Sequence, residues 1–174
     1  MCILESERLI LRPPRPTDIE AMAVWLGDFD VARMLARVPH PYSEEDAEDF
    51  LAREPSEERV YAIERKADGL FLGTIGFNPA EGFEFGYWLG KPFWGFGYAT
   101  EALHRLVSHA FEDMGARSVH AGFFADNPAS GNVLVKLGAR HNGSKLRYSR
   151  ARGVDVLCHD MLLTRADFLR KQAA

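Results

Sequence analysis

From Ala99 the apolar residues recur as Ala102/Leu103, Leu106/Val107, Ala110/Phe111 and Met114, the stripe of an amphipathic helix. Just upstream the period drops to two. In Phe83-Glu84-Phe85-Gly86-Tyr87-Trp88-Leu89, strand geometry puts Glu84, Gly86 and Trp88 on one face and the remaining aromatic and aliphatic residues on the other. Between the two patterns lies Phe93-Trp94-Gly95-Phe96-Gly97-Tyr98-Ala99-Thr100-Glu101, a glycine loop that runs straight into the helix.

The rest of the chain supplies supports for that centre. Residues 8–12 alternate weakly and read as a first strand, stopped by Pro13-Pro14. Thr17 or Asp18 can cap a helix to about residue 27, with Ile19, Met22, Ala23 and Leu26 on one face. A short helical piece over 31–36 follows, and Pro39-His40-Pro41 breaks the chain. Ser43 with Asp46 three residues on resembles a capping box for a helix through about residue 53. Strands are expected over 60–65, 70–77 and 83–89. Lys66-Ala67-Asp68-Gly69 is the first turn between them and residues 78–82 the second. After the long helix come a strand over 118–125 and a helix opened by Asn127-Pro128, with Val133, Leu134 and Leu137 as its core stripe and Gly138 as its stop. Two closing strands, about 139–149 and 154–163, turn near Gly153. Strands in a run, then helix, strand, helix, strand, strand, predict an α/β fold: a mixed, mostly antiparallel central sheet with helices on both faces.

At 174 residues the chain reads as one domain, 1–174, large enough for a real core. A net charge of −4 argues against a nucleic-acid partner. No apolar run approaches the roughly 20 residues of a membrane helix, and the first residues lack the blocks of a signal peptide. Cys2 and Cys158 make no disulfide framework, so a reducing cytoplasm is the expected location.

The candidate chemistry starts at the glycine loop. A loop of this kind bares backbone N–H groups at the positive end of a helix dipole, an anion site; the same glycines also suit a tight turn that does nothing else. Neither Gly-Lys-Ser/Thr nor Gly-x-Gly-x-x-Gly is present, which removes two other phosphate motifs. Asn127 before Pro128 is a good N-cap. Glu84 is either a solvated strand glutamate or a base, with Gly86 leaving room beside it for an amine or a water. His104 and His109 diverge on the long helix and Cys158 and His159 point to opposite strand faces, so no metal site and no cysteine nucleophile is readable.

The segment Trp94-Gly95-Phe96-Gly97-Tyr98-Ala99 resembles the Gln/Arg-x-x-Gly-x-Gly/Ala signature of the GNAT acyltransferase superfamily, with Trp94 at the usual Gln/Arg. Its continuation Gly-Tyr-Ala-Thr-Glu-Ala, the opening Glu-Ser-Glu-Arg-Leu-x-Leu-Arg-Pro and the stretch Glu-Phe-Gly-Tyr-Trp-Leu are similar to the RimJ/RimL-like branch of N-acetyltransferases. So is Asn127-Pro128-Ala129-Ser130 followed by Lys136-Leu137-Gly138. The resemblance implies acetyl-CoA as co-substrate, its pyrophosphate held by Gly95, Phe96, Gly97, Tyr98, Ala99 and Thr100. It implies pantetheine bonded by main-chain groups of Trp88 and Leu89 and by the Asn127 amide, with a backbone N–H near Leu89 as oxyanion donor, a role worth about 3 kcal/mol. It makes Glu84 the general base. The acid tyrosine of many relatives is Leu134 here, and Ser130 is the nearest substitute.

The implied activity is direct acetyl transfer to a primary amine, a protein N-terminus or a small molecule, with a homodimer left open. The rival reading is a non-catalytic CoA-binding sensor or interaction domain of the same fold, suggested by Trp94 and Leu134. The intact glycine loop and Glu84 favour the enzyme.

Overall fold

The computed structural model describes residues 2–53, 59–78 and 82–173. Eight strands form one sheet: β1 (Leu4–Glu5), β2 (Leu9–Arg12), β3 (Arg59–Arg65), β4 (Leu70–Asn78), β5 (Glu84–Leu89), β6 (Ser118–Phe124), β7 (Arg140–Ser149) and β8 (Val154–Thr164). Their order is β1-β2-β3-β4-β5-β6-β8-β7. Every neighbouring pair is antiparallel except β5 and β6, which run parallel. The helices are α1 (Ile19–Gly27), α2 (Phe29–Ala32), α3 (Glu44–Ala52), α4 (Tyr98–Glu112), α5 (Pro128–Lys136) and α6 (Arg165–Gln172).

Alternation along β5 divides the core in two. Phe85 and Leu89 pack with the α4 stripe of Ala102, Leu103, Leu106, Val107, Ala110 and Phe111. Trp88, on the opposite face, joins Met22, Leu26, Val31, Ala47 and Phe71 under α1, α2 and α3. Each of the larger apolar side chains contributes about 1.5–3 kcal/mol on burial, so the two periodicities read from the sequence fix both which way the strand faces and where the helices sit.

Two features of the sheet shape the site. First, β5 and β6 are in register only at Glu84↔His120 and Phe85↔Ala121. Beyond those pairs the two strands separate, leaving a wedge between the end of β5 and the end of β6. Second, the β7–β8 hairpin outruns β6, whose last partner is Phe124↔Cys158. Its tip reaches the α2 region, where the Arg150 N–H donates to Ala36 O at 2.9 Å and Arg152 Nε donates to Arg33 O at 2.7 Å. The hairpin therefore arches across the open wedge.

Local differences from the sequence expectation have identifiable causes. Asp18 accepts the Arg15 N–H at 2.7 Å through Oδ2 but does not cap α1 with its side chain. Its carboxylate instead takes both terminal nitrogens of Arg12, each at 2.8 Å, and the chain enters α1 through a 3-10 turn, Pro16–Asp18. The short helix expected over 31–36 lies earlier, at Phe29–Ala32, because Asp28 accepts the Asp30 N–H at 2.8 Å and starts it there. The capping box is present: Ser43 Oγ accepts the Asp46 N–H at 3.2 Å, and Asp46 Oδ2 accepts the Ser43 N–H at 2.9 Å. Strand β1 and helix α6 have no counterpart in the sequence reading; α6 starts at Thr164, whose Oγ1 accepts the Asp167 N–H at 3.2 Å. Residues 79–81 of the second turn lie outside the described residues.

Candidate active site

Both glycines of the loop are left-handed, Gly95 at φ +83° and Gly97 at φ +82°. A side chain at Gly95 would meet nothing within 4 Å, so space in front of the loop is open. Gly97 is the N-cap of α4 and has no side chain to satisfy the first-turn N–H groups, which are left for an anion. The loop is braced from the side. Arg8 Nη1 donates to Phe96 O at 3.1 Å, its guanidinium lies 4.7 Å from the centre of the Tyr98 ring, and Glu101 Oε2 accepts from Arg8 Nε at 2.6 Å. Because a peptide's C=O and N–H point opposite ways, holding the Phe96 carbonyl toward Arg8 turns the Gly97 N–H away from it. Arg8 also brings the cation that Trp94 lacks to the edge of the loop.

Trp94 has a different task. Its Nε1–H donates to Leu89 O at 2.8 Å and ties the loop to the end of β5. The Gly90 N–H is spent on Leu72 O of β4 at 2.9 Å. Alternation then turns the Leu89 N–H and the main-chain groups of Tyr87 the other way, into the wedge. Trp88 faces β4 with its main chain and the α1–α3 core with its ring, 5.9 Å from Phe71.

The far wall of the wedge is the start of α5. Asn127 Oδ1 accepts the Ser130 N–H at 3.3 Å, so Asn127 does cap the helix, and its amide nitrogen has no partner among the described residues. Tyr87 O–H donates to Ser130 Oγ at 3.0 Å. Burial pushes the Tyr87 phenol above its ordinary range, against a smaller opposing effect of that hydrogen bond. The serine's own proton is therefore free to point elsewhere. Leu134 is buried in the core and offers no polar group.

Glu84 opens β5 at the point where the wedge begins. Gly86, next on the same face, has nothing within 4 Å of where a Cβ would stand, so the surface beside the carboxylate is hollow. The sequence reading misses the partner of Glu84: Arg147 of β7 donates from Nη2 to Glu84 Oε1 at 2.8 Å. The hairpin arch delivers it from 63 positions away. Burial opposes the Arg147 charge, and the hydrogen bond and charge of Glu84 outweigh it, so the guanidinium is held more firmly protonated than usual. Cys158 is buried and its thiol is pushed up by burial, consistent with no role as a nucleophile. Among the described residues no group of three or more His, Cys, Asp or Glu could hold a metal.

A glycine-loop helix start, a wedge between parallel strands and a carboxylate at its root define an acyltransferase-type architecture. Residues 8–140 match the Acetyltransferase (GNAT) domain. The chain belongs to the GNAT acetyltransferase family. It is 31% identical over 160 residues to the uncharacterized N-acetyltransferase YoaA of Bacillus subtilis (strain 168), a match covering 87% of this chain and 90% of that protein. Its fold is that of Mycobacterium smegmatis RimJ, solved with a CoA-disulfide, at TM-score 0.80, 20% identity and coverage of 95% and 88% of the two chains. It is equally that of the Vibrio cholerae spermidine N-acetyltransferase, solved with CoA and spermine, at TM-score 0.78, 16% identity and coverage of 94% and 99%.

Proposed function

We propose that this acetyltransferase moves the acetyl group of acetyl-CoA directly to a primary amine within a ternary complex. What carries the reading is that one short strand connects both halves of the chemistry: Leu89, at one end of β5, is tied to the glycine loop, and Glu84 stands at the other. Six residues of strand span about 20 Å, room for an extended pantetheine arm along the wedge.

Acetyl-CoA supplies a thioester, an acyl carbon already activated toward amines. The N–H groups from Gly95 to Thr100 hold the pyrophosphate, and the Asn127 amide nitrogen, spared by the cap, donates to the pantetheine. The Leu89 N–H donates to the pantetheine arm at the loop end of the wedge; about 17 Å of strand separate it from Glu84, too far for it to serve as oxyanion donor to a thioester attacked beside that carboxylate. Glu84 takes the proton of the arriving ammonium, directly or through a water in the hollow beside Gly86. The neutral nitrogen forms the new C–N bond and passes its surplus proton to water as the tetrahedral adduct collapses, the C–S bond breaks, and Ser130 donates a proton to the departing sulfur. Tyr87, kept protonated by burial, stands behind Ser130 to replace it. Both cysteines are free, and no helix among the described residues is long and apolar enough to cross a membrane; we place the reaction in the cytoplasm.

The test is thiol release from acetyl-CoA across a panel of amines, with calorimetry of CoA binding alongside. Amine-dependent turnover supports the transferase; tight CoA binding without turnover selects the sensor. Gly97→Glu, which sets an anion where the phosphate approaches, is expected to abolish CoA binding while leaving the protein folded. Unchanged affinity would remove the loop from the site.

A further inference from the structure

The pair Glu84–Arg147 conflicts with a simple amine acceptor. A general base joined to a guanidinium at 2.8 Å is occupied, and a purely cationic substrate approaching it meets the positive charge of Arg147 as well. The guanidinium is also under-used. It makes one hydrogen bond, to Glu84, and its Nε and Nη1 have no partner among the described residues, although the side chain is only 30% exposed. Arg152, on the same hairpin, spends all three nitrogens on Asp126, Arg33 and Met34. A rigid fork of donors left open inside a cleft fits a carboxylate, which it binds with two parallel hydrogen bonds.

Resting on the transferase reading above, we propose that the acceptor is a small amine bearing a carboxylate beside the nitrogen, of the α-amino acid type, and that Arg147 is its carboxylate receptor. The incoming carboxylate takes the Arg147 fork and parts it from Glu84. Glu84 is then left facing the ammonium it must deprotonate, and the hollow at Gly86 takes the carbon that joins the two charged groups. The site thus exchanges an internal ion pair for two external ones, and the base is released only by a substrate of the right charge pattern. A polyamine has no group for Arg147 and adds a second repelled ammonium.

The experiment compares L-amino acids with their decarboxylated amines, which keep side chain and ammonium, in wild type, Arg147→Gln and Arg147→Lys. The expected result is a kcat/KM advantage of about tenfold or more for the acids in wild type, the size of one net charged hydrogen bond. It shrinks in Arg147→Lys, which keeps charge but not fork, and collapses in Arg147→Gln. Equal or better turnover of the decarboxylated amines or of spermidine by wild type would overturn the inference while leaving the transferase intact. So would a preference that survives Arg147→Gln, or one for peptides with an acidic first residue over free amino acids. Absence of thiol release with every acceptor would instead sink the transferase reading itself.

Discussion

Two arginines of the sheet, Arg12 and Arg147, each reach a glutamate on another strand, Arg12 on the adjacent one and Arg147 on one three places away, and they differ in everything else. Arg12 is 4% exposed and engaged at every nitrogen: Nη1 and Nη2 bind Asp18, Nη1 also reaches Pro13 O, and Nε binds Glu64 at 2.5 Å. Those carboxylates hold its charge well against the cost of burial. Arg147 is half-open and spends one nitrogen. A buried ion cluster with every guanidinium nitrogen engaged joins β2, the entry to α1 and β3, and is closed to a ligand. A half-matched pair at the root of a wedge has donors to spare and a modest stake in stability. Completeness of hydrogen bonding, more than the presence of charge, separates scaffold from site.

The largest expected effect is on the site side. Glu84→Gln should lower kcat/KM about 10²–10⁴-fold, or about 3–5 kcal/mol of transition-state stabilisation, with CoA affinity and thermal stability nearly unchanged. Raising the pH should partly rescue the variant by supplying neutral amine. Activity within about threefold of wild type, with the same response to pH, would mean that positioning alone drives the reaction and that the pair with Arg147 is only a surface contact.

The scaffold side should show the opposite pattern. Asp18→Ala leaves Arg12 buried with one carboxylate gone, a loss of about 3 kcal/mol and about 6–12 °C in Tm, while CoA binding measured below the transition is retained. A helix cap alone would cost about 1 kcal/mol, so the size of the loss also tests whether Asp18 serves Arg12 or the helix. Arg147→Gln, by contrast, should cost less than about 1 kcal/mol of stability. A loss as large as that of Asp18→Ala would erase the distinction between the two clusters.

What was legible in the sequence follows the same division. Periods of two and of three to four are local, so β5, α4 and the face shared by Glu84, Gly86 and Trp88 could be read directly. Capping signals are local too, which gave Ser43 with Asp46 and Asn127 before Pro128. The same spacing at Thr164 and Asp167 was the available signal for α6, but only Phe168 of that helix is buried, too little for an apolar stripe. Ion pairs are not local. Asp18 resembles a cap until Arg12 is seen beside it, and nothing in the order of residues links Glu84 to Arg147, Tyr87 to Ser130 or Arg8 to the glycine loop. Those contacts depend on how strands far apart in sequence are brought together, and they hold most of the site's electrostatics.

The smallest effect concerns how Arg147 is held over the wedge. The hairpin tip is anchored by Asp126, which accepts from Arg152 Nη1 at 2.8 Å and Nη2 at 3.1 Å and from Arg33 Nη1 at 3.2 Å. The Arg152 hydrogen bonds, against a smaller burial effect, hold the Asp126 carboxyl below its ordinary range. Its contribution to stability is therefore fully present above the unfolded value of about 3.9 and is lost as pH falls through the lower folded value. Near neutrality the anchor is insensitive to pH. With Asp126 44% exposed, solvent screening limits the contribution to about 1 kcal/mol or less. Asp126→Asn should flatten the acid limb of the stability curve and remove that small contribution at neutral pH. Its clearer signature is local: faster amide exchange at Arg150, whose N–H is bonded to Ala36 O, and a weakened preference for carboxylate-bearing acceptors, because Arg147 would no longer be presented from a fixed hairpin. Unchanged exchange at Arg150 would show that the Arg150–Ala36 bond and the stacking of Arg152 on Phe124, 5.1 Å from the ring centre, hold the arch without the carboxylate.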